Sequence, residues 1–305
     1  MMTLLRFIQE HGAEASQAAE HGSGSPDLGG AIMHHLVDAS TWELPIIGSV
    51  QLPTGWNIHL GPLGVVDMSP TKHVLLMLIA AFICVAVFVP LARAAASREG
   101  GKAPRGFSNA MEAMILYFRD SVVRPTIGHG ADAYTPYILT LFFFILTMNL
   151  LGLVPWSGTA TGNLAVTGAL AIMSFVLVEV SGIQALGFSG YMKTIFYAPK
   201  GMGPVGTGLM LVVMTPVEFL SKLTKPFALA VRLFANMTAG HTLILSLLGI
   251  IILFAHLTVG VWGIAVGVVL MSSAIAILEL FVAFLQAYIF AMLTAVFVGL
   301  IRHAH

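Results

Sequence analysis

The chain has 305 residues, of which 57% are hydrophobic and only 9% are Asp, Glu, Lys or Arg, and its formal net charge is zero. A soluble domain carries roughly 25% charged residues, so this is the composition of a membrane protein. The balanced charge, with no basic patch, points away from nucleic acid and from acidic ligands.

Residues 1–72 read as a polar N-terminal extension. MMTLLRFIQEHGAEASQ lacks an apolar core of about 7 to 15 residues and a small-residue cleavage site, so no cleaved signal peptide is expected. Residues 10–40 are rich in Gly, Ser, Ala and His, with a short outer helix expected at IMHHLVDA. His11, His21, His34 and His35 lack ligand spacing and read as parts of a solvated tail. The single cysteine, Cys84, has no mate for a disulfide or a cysteine-based metal site. No metal and no cofactor is expected.

A membrane domain is expected over 73–302. A spanning helix needs about 20 mostly apolar residues, and the regions 73–94, 136–155, 164–187, about 205–255 and 259–302 each supply one. As helices the last two would be roughly 75 and 66 Å long, more than twice the apolar thickness of about 30 Å. A long tilted hairpin is therefore expected, with Pro216 and Pro226 as places to bend. From 107 to 123 the apolar residues Met111, Met114, Ile115, Phe118 and Val122 recur at helical spacing between Glu112, Arg119 and Asp120, which predicts an amphipathic surface helix. That helix lies on the membrane, docks a partner, or does both. The fold class expected is all-α integral membrane, with five transmembrane helical regions.

The 93–124 segment holds six Lys/Arg, Lys193 and Lys200 follow, and Arg302 is near the C-terminus, against Arg6 and Lys72 on the other side. By the positive-inside rule the N-terminus is expected outside and the C-terminus in the cytoplasm.

An ionisable residue at membrane depth costs about 2.5 to 3.5 kcal/mol on insertion scales and marks function by default. The last two regions carry Glu218, Lys222, Lys225, Arg232, His241 and Glu279, with Asn236 and Gln286 as uncharged companions. At about 100° per residue, Glu218, Lys225, Arg232 and Asn236 fall within about 40° of one another, while His241 lies about 180° from Arg232. Glu279 and Gln286, seven apart, share a face, and a hairpin would bring Glu279 towards His241 and Gln286 towards Arg232. Histidine and carboxylate move protons, whereas arginine stays charged. The pattern predicts two separated polar clusters in a proton path, with Arg232 as a fixed charge that stops protons leaking straight across. Lys222 and Lys225 either take part or snorkel to the headgroups. Glu179 either lines a path or pairs with a neighbouring subunit. Asn149 reads as helix–helix glue compatible with a path. There is no GxxxxGK[ST] for a nucleotide and no HExxH for a metal. No pair of corresponding halves suggests a secondary transporter.

SKLTKPFALAVRLFANMTAGH, followed by LQAYIFAMLT, closely resembles subunit a of the F-type ATP synthases, as do IMHHLVDA, GFSNAMEAMILYF and FFFILTMNLLGLVP. The resemblance implies a non-catalytic, ion-conducting stator subunit of a bacterial inner membrane. Its implied partners are the c-ring, subunit b of the peripheral stalk, the rest of the complex and the lipid bilayer, with ATP chemistry in the soluble sector and no role for nucleic acid. It implies that Arg232 faces the c-ring carboxylates with Asn236 and Gln286 as polar neighbours. His241 and Glu279 would line the outer, inlet half-channel, with the acid and the histidine exchanged relative to some members. Glu218 would serve the outlet, with Ser221 alongside. Gly152 stands where some members have an aspartate, so that segment is not expected to carry protons.

Overall fold

A computed structural model describes residues 41–44, 48–53, 55–59, 65–67, 69–97, 106–154, 158–196, 203–254 and 260–303. The helix expected at IMHHLVDA lies outside these residues. The described part of the N-terminal extension holds two antiparallel hairpins: β1 (Thr41–Leu44) pairs with β2 (Gly48–Gln51), and β3 (Asn57–His59) with β4 (Val65–Asp67). A strand of three or four residues carries too little alternation to be told from loop, which is why the sequence reads as an unstructured extension there.

Beyond the hairpins the described chain is helical. The helices are α1 (Lys72–Ala96), α2 (Phe107–Phe118), α3 (Arg124–Ile127), α4 (Ala131–Gly152), α5 (Leu164–Ile195), α6 (Pro204–Leu253) and α7 (Gly260–Arg302). Five of them, α1 and α4 to α7, are long and apolar enough to cross a membrane. The protein is an all-α membrane protein in its spanning part. α4 begins five residues earlier than the apolar run suggests, because Asp132 sits in its first turn, where a carboxylate suits the helix dipole. Pro136 lies near that end, where its missing N–H removes a single helical bond. α5 runs on past 187, but not as one straight helix: Gly187 has φ 70° and ψ 164°, outside the helical region and open to glycine without strain.

Two compact units divide the described residues. The first takes the chain up to Ala80, Met148–Asn163 and Phe234–Phe284. In it Asn149, fully buried, donates from Nδ2 to the Ala283 carbonyl at 3.1 Å and accepts from the Thr161 hydroxyl at 2.9 Å. This ties α7 to the end of α4 and to the turn at Ala160–Gly162. His73, buried near the start of α1, meets Asn163 at 3.4 Å.

The second unit takes Ala81–Thr147, Leu164–Leu233 and Leu285 onward. Its aromatic centre is Phe118, with ring centroids 4.7 Å from Phe142 and 5.5 Å from Tyr288. α2 passes into a π-turn, Arg119–Val123, before α3. The wider turn rotates the following side chains, and Phe118, Val122, Val123 and Ile127 are all buried. The amphipathic segment is therefore docked by its C-terminal half into this unit, while Phe107, Leu116 and Tyr117 are exposed. Gly299 lets α7 pass the Thr126 carbonyl, where a Cβ would collide with the backbone.

Candidate functional site

In the first unit α6 and α7 run antiparallel, and the pairing of His241 with Glu279 fixes their register there. His241 Nε2 lies 4.0 Å from Glu279 Oε1, and the two side chains are 21% and 5% exposed. That distance is too long for a hydrogen bond. His241 Nε2 and both Glu279 carboxylate oxygens are buried with no hydrogen-bond partner among the described residues. Buried polar atoms are nearly always paired, so these three atoms stand out beside a carboxylate–imidazole distance of 4.0 Å. The carboxylate reaches α6 because residue 240 is glycine: a Cβ there would overlap the Glu279 carboxyl group. Ala283, one turn beyond Glu279, is held by Asn149, so the helix that carries the acid is anchored next to it.

In the second unit a cavity of about 290 Å³ opens between α5, α6 and α7. Glu179, Glu218, Lys222 and Lys225 line it together with Thr194 and Thr294. Lys222 Nζ is 3.6 Å from Glu179 Oε2, with the two side chains 11% and 15% exposed. The Tyr191 hydroxyl donates to the same Glu179 oxygen. Lys222 also stands 4.3 Å from the Tyr191 ring centre and 3.5 Å from the Thr194 hydroxyl. Lys225 lies 5.3 Å from the Phe297 ring centre, a cation–π contact. Glu179, whose place the sequence leaves open, thus shares a cavity with Glu218 and pairs within its own chain. Ser221 is half-buried but is not one of the residues lining the cavity.

Arg232 and Asn236, one turn apart on α6, are both exposed, while Gln286 on α7 is buried. Among the described residues Arg232 makes no hydrogen bond or ion pair. Among the described residues no three of His, Cys, Asp and Glu gather as a metal site would require.

Residues 74–299 match the family described as ATP synthase A chain. The chain belongs to that family. The match encloses every candidate residue from Asn149 to Gln286. The chain is 42% identical over 289 residues to ATP synthase subunit a 2 of Chlorobaculum tepidum, covering 94% of this chain and 76% of that protein. It is likewise 42% identical to ATP synthase subunit a of Anaeromyxobacter dehalogenans over 303 residues, 95% and 76% of the two chains. Subunit a of Chloroherpeton thalassium is 42% identical over 268 residues, covering 88% and 75%. As a family member with five apolar helices, the chain is a multi-pass, membrane-sector subunit of an ATP synthase complex.

Four positions in this family member escape the sequence reading. Gly240 is visible only as a small residue beside His241 in TAGH. Tyr191 and Thr194 carry no helical pattern that links them to Glu179. Gly187 is one of many glycines in the chain, and nothing around it in the sequence marks the non-helical φ and ψ it adopts inside α5.

Proposed function

We propose that the chain is the proton-translocating stator subunit of an F-type ATP synthase, not itself catalytic, with two offset half-channels and an arginine presented to the carboxylates of a c-ring. The observation that carries this is the exposed guanidinium of Arg232, without a hydrogen bond or ion pair among the described residues, on an apolar helix of an ATP synthase A chain. A permanent charge placed there is costly unless an anion meets it, and the described residues supply none. A carboxylate arriving on a neighbouring subunit does, with Asn236 one turn away and Gln286 as a further polar neighbour.

Protons enter from outside by way of His241 and Glu279. Their 4.0 Å gap is too wide for direct transfer and suits relay through one water. They protonate a c-ring carboxylate, the ring turns through lipid, and the proton leaves past Glu218 to the cytoplasm. Arg232 forces each carboxylate to give up its proton as it passes and repels any proton that would cross directly. Because His241 lies about 180° around α6 from Arg232, the inlet and the ring face are separated on one helix. Subunit b and the rest of the complex complete the stator, in a bacterial inner membrane with the N-terminus outside and the C-terminus in the cytoplasm.

Arg232→Ala in the assembled complex is expected to abolish both ATP synthesis and ATP-driven proton pumping, measured in inverted membrane vesicles. Synthesis at the normal rate in that variant would overturn the reading.

A further inference from the structure

Lys222 follows Glu218 by four residues on α6, the spacing at which a helical Glu and Lys pair along one face. It pairs instead with Glu179 on α5, at 3.6 Å. Three further groups hold that choice in place. The Tyr191 hydroxyl donates to the oxygen of Glu179 that Lys222 faces, the Tyr191 ring lies 4.3 Å from the ammonium, and the Thr194 hydroxyl is 3.5 Å from it. Along a continuous helix the twelve residues from Glu179 to Tyr191 would span about 18 Å, beyond the reach of a tyrosine. The turn at Gly187 brings Phe188–Ile195 back within range. Lys225, the other cation of the cavity, is engaged by the Phe297 ring. Glu218 is left with no ion pair among the described residues.

We propose that Glu179, hydrogen-bonded by Tyr191 from beyond the Gly187 turn, is a positioning residue that, with Thr194 beside the ammonium, holds Lys222 away from Glu218 and so leaves Glu218 free to exchange protons. This rests on the reading of Glu218 as the outlet group. The titratable groups facing the cavity are Glu179 and Tyr191 from α5 and Glu218, Lys222 and Lys225 from α6, while α7 brings the uncharged Thr294 and Phe297. Without the Glu179 carboxylate, the flexible lysine turns to its neighbour four residues back. A cation at that distance favours the ionised carboxylate, and Glu218 is then harder to reprotonate from the cytoplasm.

The test measures ATP-driven proton pumping as a function of pH in inverted vesicles holding the whole complex. In Glu179→Gln the alkaline limb of the profile is expected to move to lower pH by about one unit or more. Glu179→Gln combined with Lys222→Gln is expected to return it to the wild-type position, since the freed cation is gone. Glu179→Asp, which keeps the charge, is expected to retain the wild-type limb and covers the case in which Glu179→Gln fails to assemble. An unshifted Glu179→Gln profile, a double variant no better than the single one, or a shifted Glu179→Asp profile would each overturn the proposal. Glu218→Gln separates the two readings: normal pumping in that variant removes Glu218 from the path altogether. Slowed pumping there, beside an unshifted Glu179→Gln profile, sinks only the positioning role.

Discussion

His241 and Glu279 in the first unit face each other across 4.0 Å with three buried atoms unpartnered, whereas Glu179, Lys222, Tyr191 and Thr194 in the second unit satisfy one another. Both clusters combine a carboxylate with a nitrogen base inside apolar helices, so composition does not separate them. Their hydrogen-bond economy does. An unpaired buried polar group costs about 1 to 3 kcal/mol, and such a cost persists where the group must change its proton or its partner. A saturated ion pair resists both changes. On the proposed reading the first cluster titrates, and the second keeps a charge still beside a group that titrates.

The strongest way to break that comparison is to remove the acid of the first cluster. Glu279→Leu is expected to slow ATP-driven pumping by about a decade, equivalent to about 1.4 kcal/mol in the barrier, while the amount of assembled complex is unchanged. His241→Leu should act in the same direction. A slowing rather than an abolition is expected because water admitted to the inlet can still deliver protons to the ring. Full-rate pumping in Glu279→Leu would mean that the unpartnered pair is not on the path.

Gly240→Ala is a gentler perturbation of the same gap. The added methyl overlaps the Glu279 carboxyl, whose flexible end can swing aside. The expected loss is therefore less than the decade assigned to Glu279→Leu, with normal assembly. Combining Gly240→Ala with Glu279→Leu should cost no more than Glu279→Leu alone, because the methyl then has no carboxylate to displace. An additive loss in the double variant would show that Gly240 acts through something other than Glu279.

The two clusters were not equally legible in the sequence. The pairing of His241 with Glu279 follows from helical period and one hairpin, both short-range rules applied to long apolar segments. The contacts of Tyr191 with Glu179 and of Thr194 with Lys222 depend on the break at Gly187, whose φ of 70° no composition or spacing announces. The sequence reading therefore leaves Glu179 open between a path and a neighbouring subunit, although its partner is in its own chain. The five spanning helices were readable because about 20 apolar residues leave few alternatives. The hairpins at Thr41–Gln51 and Asn57–Asp67 were not, because strands this short are specified by their pairing. The docking of Phe118 and Val122 was half legible: the apolar stripe was visible, but the π-turn that sets its direction was not.

The smallest effect is expected outside both clusters, at the exposed charges after α2. Asp120 accepts from Arg119 and from Arg124 at 2.9 Å each, and Arg124 also grips Asp132 with two bonds of 3.1 Å. These side chains are between 34% and 66% exposed, so the pairs are screened and contribute little. The Arg119 guanidinium beside Asp120 nevertheless holds its carboxyl below the ordinary carboxylate value. A depressed carboxylate contributes stability above its unfolded pKa, and that contribution is lost as pH falls through the folded one. Asp120→Asn is expected to pump normally, with a thermal midpoint slightly below wild type at pH 7, a difference that closes as the pH is lowered through the acid range. Impaired pumping in Asp120→Asn would extend the functional polar groups beyond the two clusters. Normal pumping is consistent with the proposed reading, in which the unsatisfied pair carries protons and the saturated pair holds a fixed charge.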